Sequence, residues 1–381
     1  MRRKPWAFVL CFCSALALMT CRGAKSDSEV NEIVIGEFGS LTGTTATFGI
    51  STKNGIDMAV DEVNKAGGLL GKKVRVIVED DQGKPEEAQT VVTKLINKDR
   101  VVAVLGEVAS SRTMAAAPVA QQNGIPLISP SSTNPKVTEI GDYIFRVCFI
   151  DPFQGLVMAK FAANTLKVKK VDILRDIKND YSVGLADVFI DNFKKMGGGI
   201  VDNQSYSEGD TDFSAQLTAI KAKNPEAVFL PGYYTEVGLV ARQAKKLGLT
   251  VPFLGGDGWD SPKLIEIGGD AVNGSYYSNH FSVSDPNATI QKFVGDYKTR
   301  YKATPDALAG LAFDAAGILF DAIKRANSAD GAKIRGEIAQ TKDFPGVTGR
   351  ITLDRDRNAV KPAVVLQVKD GKLEYVETIT P

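Results

Sequence analysis

The chain has one histidine, His280, in 381 residues. A Ser-His-Asp triad or a histidine-rich metal site would have to be built around that single ring, which argues against both chemistries. Cysteine is nearly as scarce. Of four, Cys11, Cys13 and Cys21 fall within the first 21 residues, so Cys148 stands alone in the remainder and an internal disulfide there is excluded. Neither sign of charge is in excess: 46 basic residues face 45 acidic ones for a net charge of +1. With no long basic run either, the balance argues against a nucleic-acid surface. A Gly-x-x-x-x-Gly-Lys-Ser/Thr phosphate loop is missing, and Gly36-Glu-Phe-Gly39 lacks the full spacing of a dinucleotide loop. Asp354-Arg-Asp-Arg-Asn358 opens like a calcium loop, yet Ala359 stands where the sharp turn needs glycine and Val365 where the bidentate glutamate belongs. It reads as a charged turn. Without an activated nucleophile, an acid/base pair or a cofactor motif, the expectation is a binding protein with no cofactor and no metal, and not an enzyme.

Long apolar runs are also lacking. Trp6 to Met19 is the longest apolar stretch at the start, too short to span a bilayer, and it follows the basic Arg2-Arg-Lys4. Residues 1–20 therefore read as an export signal. The cysteine that ends it, Cys21, is expected to be acylated, with residues 21–30 forming a polar tether. The protein is then periplasmic or at the cell surface and touches the membrane only through that lipid anchor. What remains is chain enough for two domains of roughly 100 to 200 residues each.

What is present is alternation. Ile33–Ile35, Val74–Val78, Val101–Leu105, Val171–Leu174, Ala227–Leu230 and Val251–Leu254 are short β-branched runs that read as strands. Helical periodicity is found over 55–65, 85–98, 110–123, 181–195, 213–223 and 236–247, and again over 287–301 and 307–327. A strand at 349–353 and a hairpin through 363–376 close the chain. Such alternation implies right-handed βαβ units, hence an α/β fold with parallel sheets covered by helices on both faces. The two halves look alike, with crossings near 149–152 and 280–284. Boundaries follow: 31–149 plus 283–360 for an N-terminal lobe, 150–282 plus 361–381 for a C-terminal lobe.

Two strand ends carry the chemistry. Val101 to Gly106 runs into Ala109-Ser-Ser-Arg-Thr113, and Pro126 to Pro130 runs into Ser131-Ser-Thr-Asn-Pro135. Hydroxyls and free backbone N–H groups at the end of a buried parallel strand make a corner that holds an anion. Ser110 and Thr133 could equally be helix N-caps, but two such corners one strand apart point to a site. Asp80 and Asp81 read as a strand-end turn.

Asn64-Lys-Ala-Gly-Gly-Leu-Leu-Gly71, Asp80-Asp81, Ser110, Ser129-Pro-Ser-Ser-Thr-Asn-Pro135, Gly232-Tyr-Tyr234 and Gly255-Gly-Asp-Gly258 follow one another in an order and spacing that resembles the periplasmic leucine/isoleucine/valine-binding proteins. The resemblance covers nearly all of the chain after the signal. It implies the type I periplasmic binding protein fold: two doubly wound parallel-sheet lobes joined by three hinge crossovers, with an amino acid held in the cleft and delivered to the permease subunits of an ABC importer. By the same resemblance Ser110 and Thr133 bind the ligand's α-carboxylate, with Ser131 a further candidate. Tyr181 and Tyr233 are contributed by the second lobe, Asp257 receives the α-ammonium, and Phe48 lies near the ligand side chain. Asp257 stands where the best-known branched-chain members carry Glu. Gly83 and Ala109 match the positions of those members' disulfide.

A zwitterion needs donors at one end and an anion at the other, and several charge-assisted hydrogen bonds of about 1.5 to 3 kcal/mol each suffice for micromolar binding. Phe48, Val108 and Phe313 suggest an apolar pocket. Of the tyrosine pair 233 and 234, one is expected to reach the ligand. Three readings stand: a transport protein for an aliphatic α-amino acid, a same-fold protein for an aromatic or hydroxy acid without an ammonium, and a sensory module. The expected partners are a small amino acid and the importer, and the expected state is a monomer.

Overall fold

The computed structural model describes residues 32–381. The expected signal, Cys21 and its tether lie outside the described residues.

Strand β1 (Glu32–Gly39) explains the first lobe. Ile33 and Ile35 face a core formed with helix α1 (Ala46–Lys65), while Val34 and Phe38 point the other way. That second core forms with α2 (Pro85–Asn97) and α3 (Ser110–Gln122). Side chains alternate across a strand, so burial on both faces demands the unbroken apolar run seen in the sequence. With β2 (Lys73–Asp80), β3 (Val104–Leu105), β4 (Leu127–Ser129) and β5 (Ile144–Arg146), beyond the short α4 (Lys136–Glu139), it forms a parallel sheet in the order β2-β1-β3-β4-β5.

The second lobe repeats the plan. After α5 (Asp151–Lys160) come β6 (Lys170–Asp176), α6 (Asp180–Lys195), β7 (Gly199–Tyr206), α7 (Ser214–Lys223), β8 (Ala227–Phe229), α8 (Tyr234–Lys246), β9 (Phe253–Gly255), α9 (Pro262–Gly268) and β10 (Tyr276–Asn279). Helices α10 (Ala288–Tyr301), α11 (Ala307–Ala326) and α12 (Gly331–Ala339) follow, then β11 (Phe344–Gly346), β12 (Gly349–Leu353) and β13 (Ala359–Val360) as a small antiparallel sheet. Helix α11 packs on the first lobe's core. The last hairpin, β14 (Ala363–Lys369) and β15 (Lys372–Ile379), returns to the second sheet, whose order is β15-β14-β10-β9-β8-β6-β7. The chain thus passes between sheets three times, after β5, after β10 and after β13.

The sequence pattern and the structure part in places that have physical reasons. Helix α1 starts at Ala46, nine residues before the periodic stretch, where Gly49 and the polar run Ser51-Thr-Lys-Asn54 hide the helical period in the sequence. A Cβ at Gly49 would sit 2.3 Å from the Ser40 carbonyl oxygen, and one at Gly55 would sit 2.1 Å from that of Ala309. Close backbone approach needs glycine there, and tertiary packing overrides its low helix propensity. Strand β3 is shorter than the run from Val101, although Val102 N–H still donates to the Val34 carbonyl at 2.9 Å. The edge strand β7, half-exposed and polar, gives no apolar run to find.

Candidate functional site

In each lobe the first strand is flanked by the second on one side and the third on the other, so successive crossovers leave in opposite directions between β1 and β3, and again between β6 and β8. A crevice opens at the carboxyl end of a doubly wound sheet at that point. The two crevices face each other. Phe48, Val108 and Ser110 enter from the first lobe, Ser131 from the end of β4, Tyr181, Tyr233, Asp257 and Gly258 from the second lobe, and Leu308 from α11. Together they line a narrow pocket between the lobes.

Ser110 begins α3 but caps nothing; its Oγ accepts the Asn134 N–H at 3.2 Å, so its own proton is free for the cavity. Thr133 is not among the lining residues, whereas Ser131 is. The Thr133 hydroxyl is buried and has no hydrogen-bond partner. Beside it, both carboxyl oxygens of the fully buried Asp151 are also unpartnered. Burial pushes the Asp151 carboxyl up to about 8; Thr133 and Arg146 pull it back and Asp257 pushes it further. Thr133 stands near enough to exert that pull, yet outside hydrogen-bonding geometry.

Asp257, 5% exposed, is held on three sides. Gln154 Nε2 donates to its Oδ1 at 2.8 Å, and Ser131 Oγ donates to its Oδ2 at 3.1 Å. His280 Nε2 lies 3.1 Å from that same Oδ2. Desolvation takes the His280 ring down to about 4, against the pull of Asp257, so at neutral pH it is an uncharged donor through Nε2. Its other face stacks on Phe149 at 3.8 Å. Among the described residues no Lys or Arg pairs with Asp257.

The remaining wall is aromatic. Tyr181 and Tyr233 stack in parallel at 5.6 Å, and Phe48 meets Tyr233 edge-on at 5.3 Å. Burial raises both phenols well above their usual range, so they remain neutral. The Tyr181 hydroxyl accepts the Gly258 N–H at 3.1 Å. Glycine is required nearby, since a Cβ at Gly256 would stand 2.5 Å from that hydroxyl.

The expected residues Phe48, Val108, Ser110, Ser131, Tyr181, Tyr233 and Asp257 are therefore brought to one cavity. Tyr234 is not on it; its hydroxyl accepts the Thr47 N–H at 3.3 Å instead. Phe313 packs 5.3 Å from Phe293 in a separate core, and Leu308 supplies the apolar surface expected of it. Gln154 was not foreseen, because a helical glutamine in a crossover segment carries no local signal. Asp80 and Asp81 close a turn as expected, accepting the Gln82 and Gly83 N–H groups. Asp354 likewise accepts from Asp356 and Asn358 N–H, as a charged turn does. Cys148 is buried and free.

Two facing lobes with a pocket at their switch points define a solute-binding protein, and comparison with known proteins assigns the family. The periplasmic binding protein family matches residues 32–372, and the chain belongs to it. That family consists of extracytoplasmic solute-binding proteins rather than enzymes. A leucine-binding protein, LivK, from Thermotoga maritima is similar at 41% identity, with a TM-score of 0.88 over 92% of this chain and 99% of that one. The branched-chain amino acid transporter substrate-binding protein LivJ of Streptococcus pneumoniae, solved in complex with isoleucine, is similar at 35% identity and TM-score 0.88, covering 92% and 100%. The Leu/Ile/Val-binding protein BraC3 of Rhizobium johnstonii is 33% identical over 323 residues, 84% of this chain and 87% of that protein.

Proposed function

We propose that this protein is the solute-binding component of an ABC importer and takes an aliphatic, branched-chain α-amino acid. The observation that carries the reading is the uncompensated Asp257 carboxylate in a cavity that also receives the Ser110 hydroxyl and an apolar wall of Phe48, Val108 and Leu308. In this reading Ser110 and the neighbouring Thr133 hold the α-carboxylate, Ser131 lines the pocket with its hydroxyl given to Asp257, Asp257 takes the α-ammonium, and Tyr181 and Tyr233 cover the aliphatic group. An acid without an ammonium would leave Asp257 unpaired beside a like charge, which disfavours aromatic and hydroxy acids. The names of the similar proteins support the same ligand class.

Lobes 31–149 plus 283–360 and 150–282 plus 361–381 move about the three crossovers, and the solute draws them together. The protein works as a monomer, reaches the membrane through acylated Cys21, and presents its closed form to the permease. A thermal-shift panel tests the reading. Leucine, isoleucine and valine should stabilise the protein while their 2-oxo acids do not; stabilisation by the oxo acids alone would refute it.

A further inference from the structure

One ion pair among the described residues joins the two lobes, and the cavity just described does not use it. Arg112, in the first turn of α3, is 2% exposed despite its charge. Its Nη1 donates to Ser40 Oγ and Thr45 Oγ1, both at 2.8 Å, and stands 3.6 Å from Glu107 Oε1. All of these belong to the first lobe. A Cβ at Gly83 would come within 3.3 Å of Nη2, so that glycine keeps space open for the guanidinium. Nη2 then reaches across the cleft to Glu208 Oε1 at 2.9 Å.

Glu208 lies in the loop after β7, and that loop is pinned to its own lobe. Its N–H donates to Asp176 Oδ1 at 3.1 Å, and the next N–H, of Gly209, donates to Glu236 Oε1 at 3.1 Å. The Arg112 guanidinium and the Glu208 backbone are therefore both held in place by their own lobes. An exposed ion pair loses most of its Coulomb energy to side-chain ordering and solvent. Here the guanidinium is ordered in advance and out of water, which favours a stronger charge-assisted bond. The guanidinium also stands 5.9 Å from the centre of the Tyr233 ring, which lines the cavity and stacks on Tyr181. Polar contacts between neutral groups accompany it, such as Thr47 Oγ1 to Ser261 Oγ at 2.9 Å and Thr235 Oγ1 to the Thr44 carbonyl at 2.7 Å.

We propose that Arg112 and Glu208 are positioning residues that form a charged latch, stabilising the closed arrangement of the lobes by an amount independent of which solute is bound. This inference rests on the binding function proposed above. Apparent affinity scales with the fraction of protein in the binding-competent form, so a latch multiplies the affinity for every ligand by one factor.

The test uses Glu208→Gln, because Glu208 is 31% exposed and its replacement leaves the buried Arg112 with its first-lobe partners. Calorimetry and stopped-flow binding should show leucine, isoleucine and valine all weakened about tenfold, by one shared factor carried in the dissociation rate. The deficit should shrink as salt rises. Glu208→Asp, which keeps the charge, should recover part of it. An unchanged Kd, or losses that differ between the three side chains, overturns the latch. A donor and acceptor dye pair, one on each lobe, separates this from failure of the functional reading. If no amino acid closes the wild type, the functional reading falls; the latch is then judged on the unliganded protein, where identical interlobe distances in wild type and Glu208→Gln refute it.

Discussion

Asp257→Asn isolates the group on which ammonium recognition depends. In the native site the Asp257 carboxylate accepts from Gln154, Ser131 and His280, three donors that are neutral at pH 7 or close to it. A carboxamide keeps one acceptor oxygen and turns an NH₂ towards groups that also donate. The variant thus loses the counter-charge for the ligand and strands at least one buried donor. Loss of a charge-assisted hydrogen bond accounts for about 1.5–3 kcal/mol, and truncating one side of a desolvated charge pair for about 2–5 kcal/mol. At about 1.4 kcal/mol per decade, the Kd for leucine should rise between about thirtyfold and several thousandfold. Titration calorimetry measures it, with unliganded thermal unfolding run in parallel to establish that the fold survives. The 2-oxo acid of leucine should not lose affinity, since it offers no ammonium. Leucine binding that is unchanged in Asp257→Asn would refute the reasoning and remove Asp257 from the site.

Ser110→Ala and Thr133→Val should each weaken every amino acid by a similar amount, about 1.5–3 kcal/mol if the hydroxyl donates to a carboxylate; calorimetric losses confined to some side chains would exclude a shared carboxylate contact. Glu37, buried beneath α1, has its carboxyl pushed up from 4.5 to about 8 by burial, with Asp57 adding and Lys53 opposing. The folded state keeps this proton where the unfolded chain has lost it, so stability falls as pH rises from about 4.5 to 8, by about 1.4 kcal/mol per unit. Glu37→Gln should remove that slope, leaving the variant more stable than wild type at pH 8 and similar to it near pH 4, as read by urea unfolding across pH. Gly55→Ala should destabilise by about 1–3 kcal/mol, because its Cβ meets the Ala309 carbonyl oxygen at 2.1 Å where α1 crosses α11; an unchanged melting temperature would show that the helices can separate freely.

Legibility in the sequence followed the range of the interaction. Strands β1, β6 and β8 could be read because burial on both faces forces consecutive apolar residues, a local pattern. Helices α2, α3 and α8 could be read to within a residue or two for the same reason. Strand β7, polar and at an edge, could not. Ser110 could be picked out from the hydroxyl-bearing corner at a strand end, whereas Tyr181, Tyr233 and Asp257 rest on family resemblance, since an aspartate before glycine most often serves the backbone alone.

Composition and periodicity alone determined that this is an α/β protein of two similar halves, with a lone His280, no second cysteine after residue 21 and balanced charge. Only the tertiary structure decided that Ser131 rather than Thr133 lines the cavity, that Leu308 takes the place expected of Phe313, and that Gln154 and His280 hold Asp257. The same is true of Arg112 meeting Glu208, 96 residues away. Periodic burial is imprinted residue by residue along a strand or helix, whereas a site is a meeting of loop ends whose positions depend on how whole sheets are stacked and crossed.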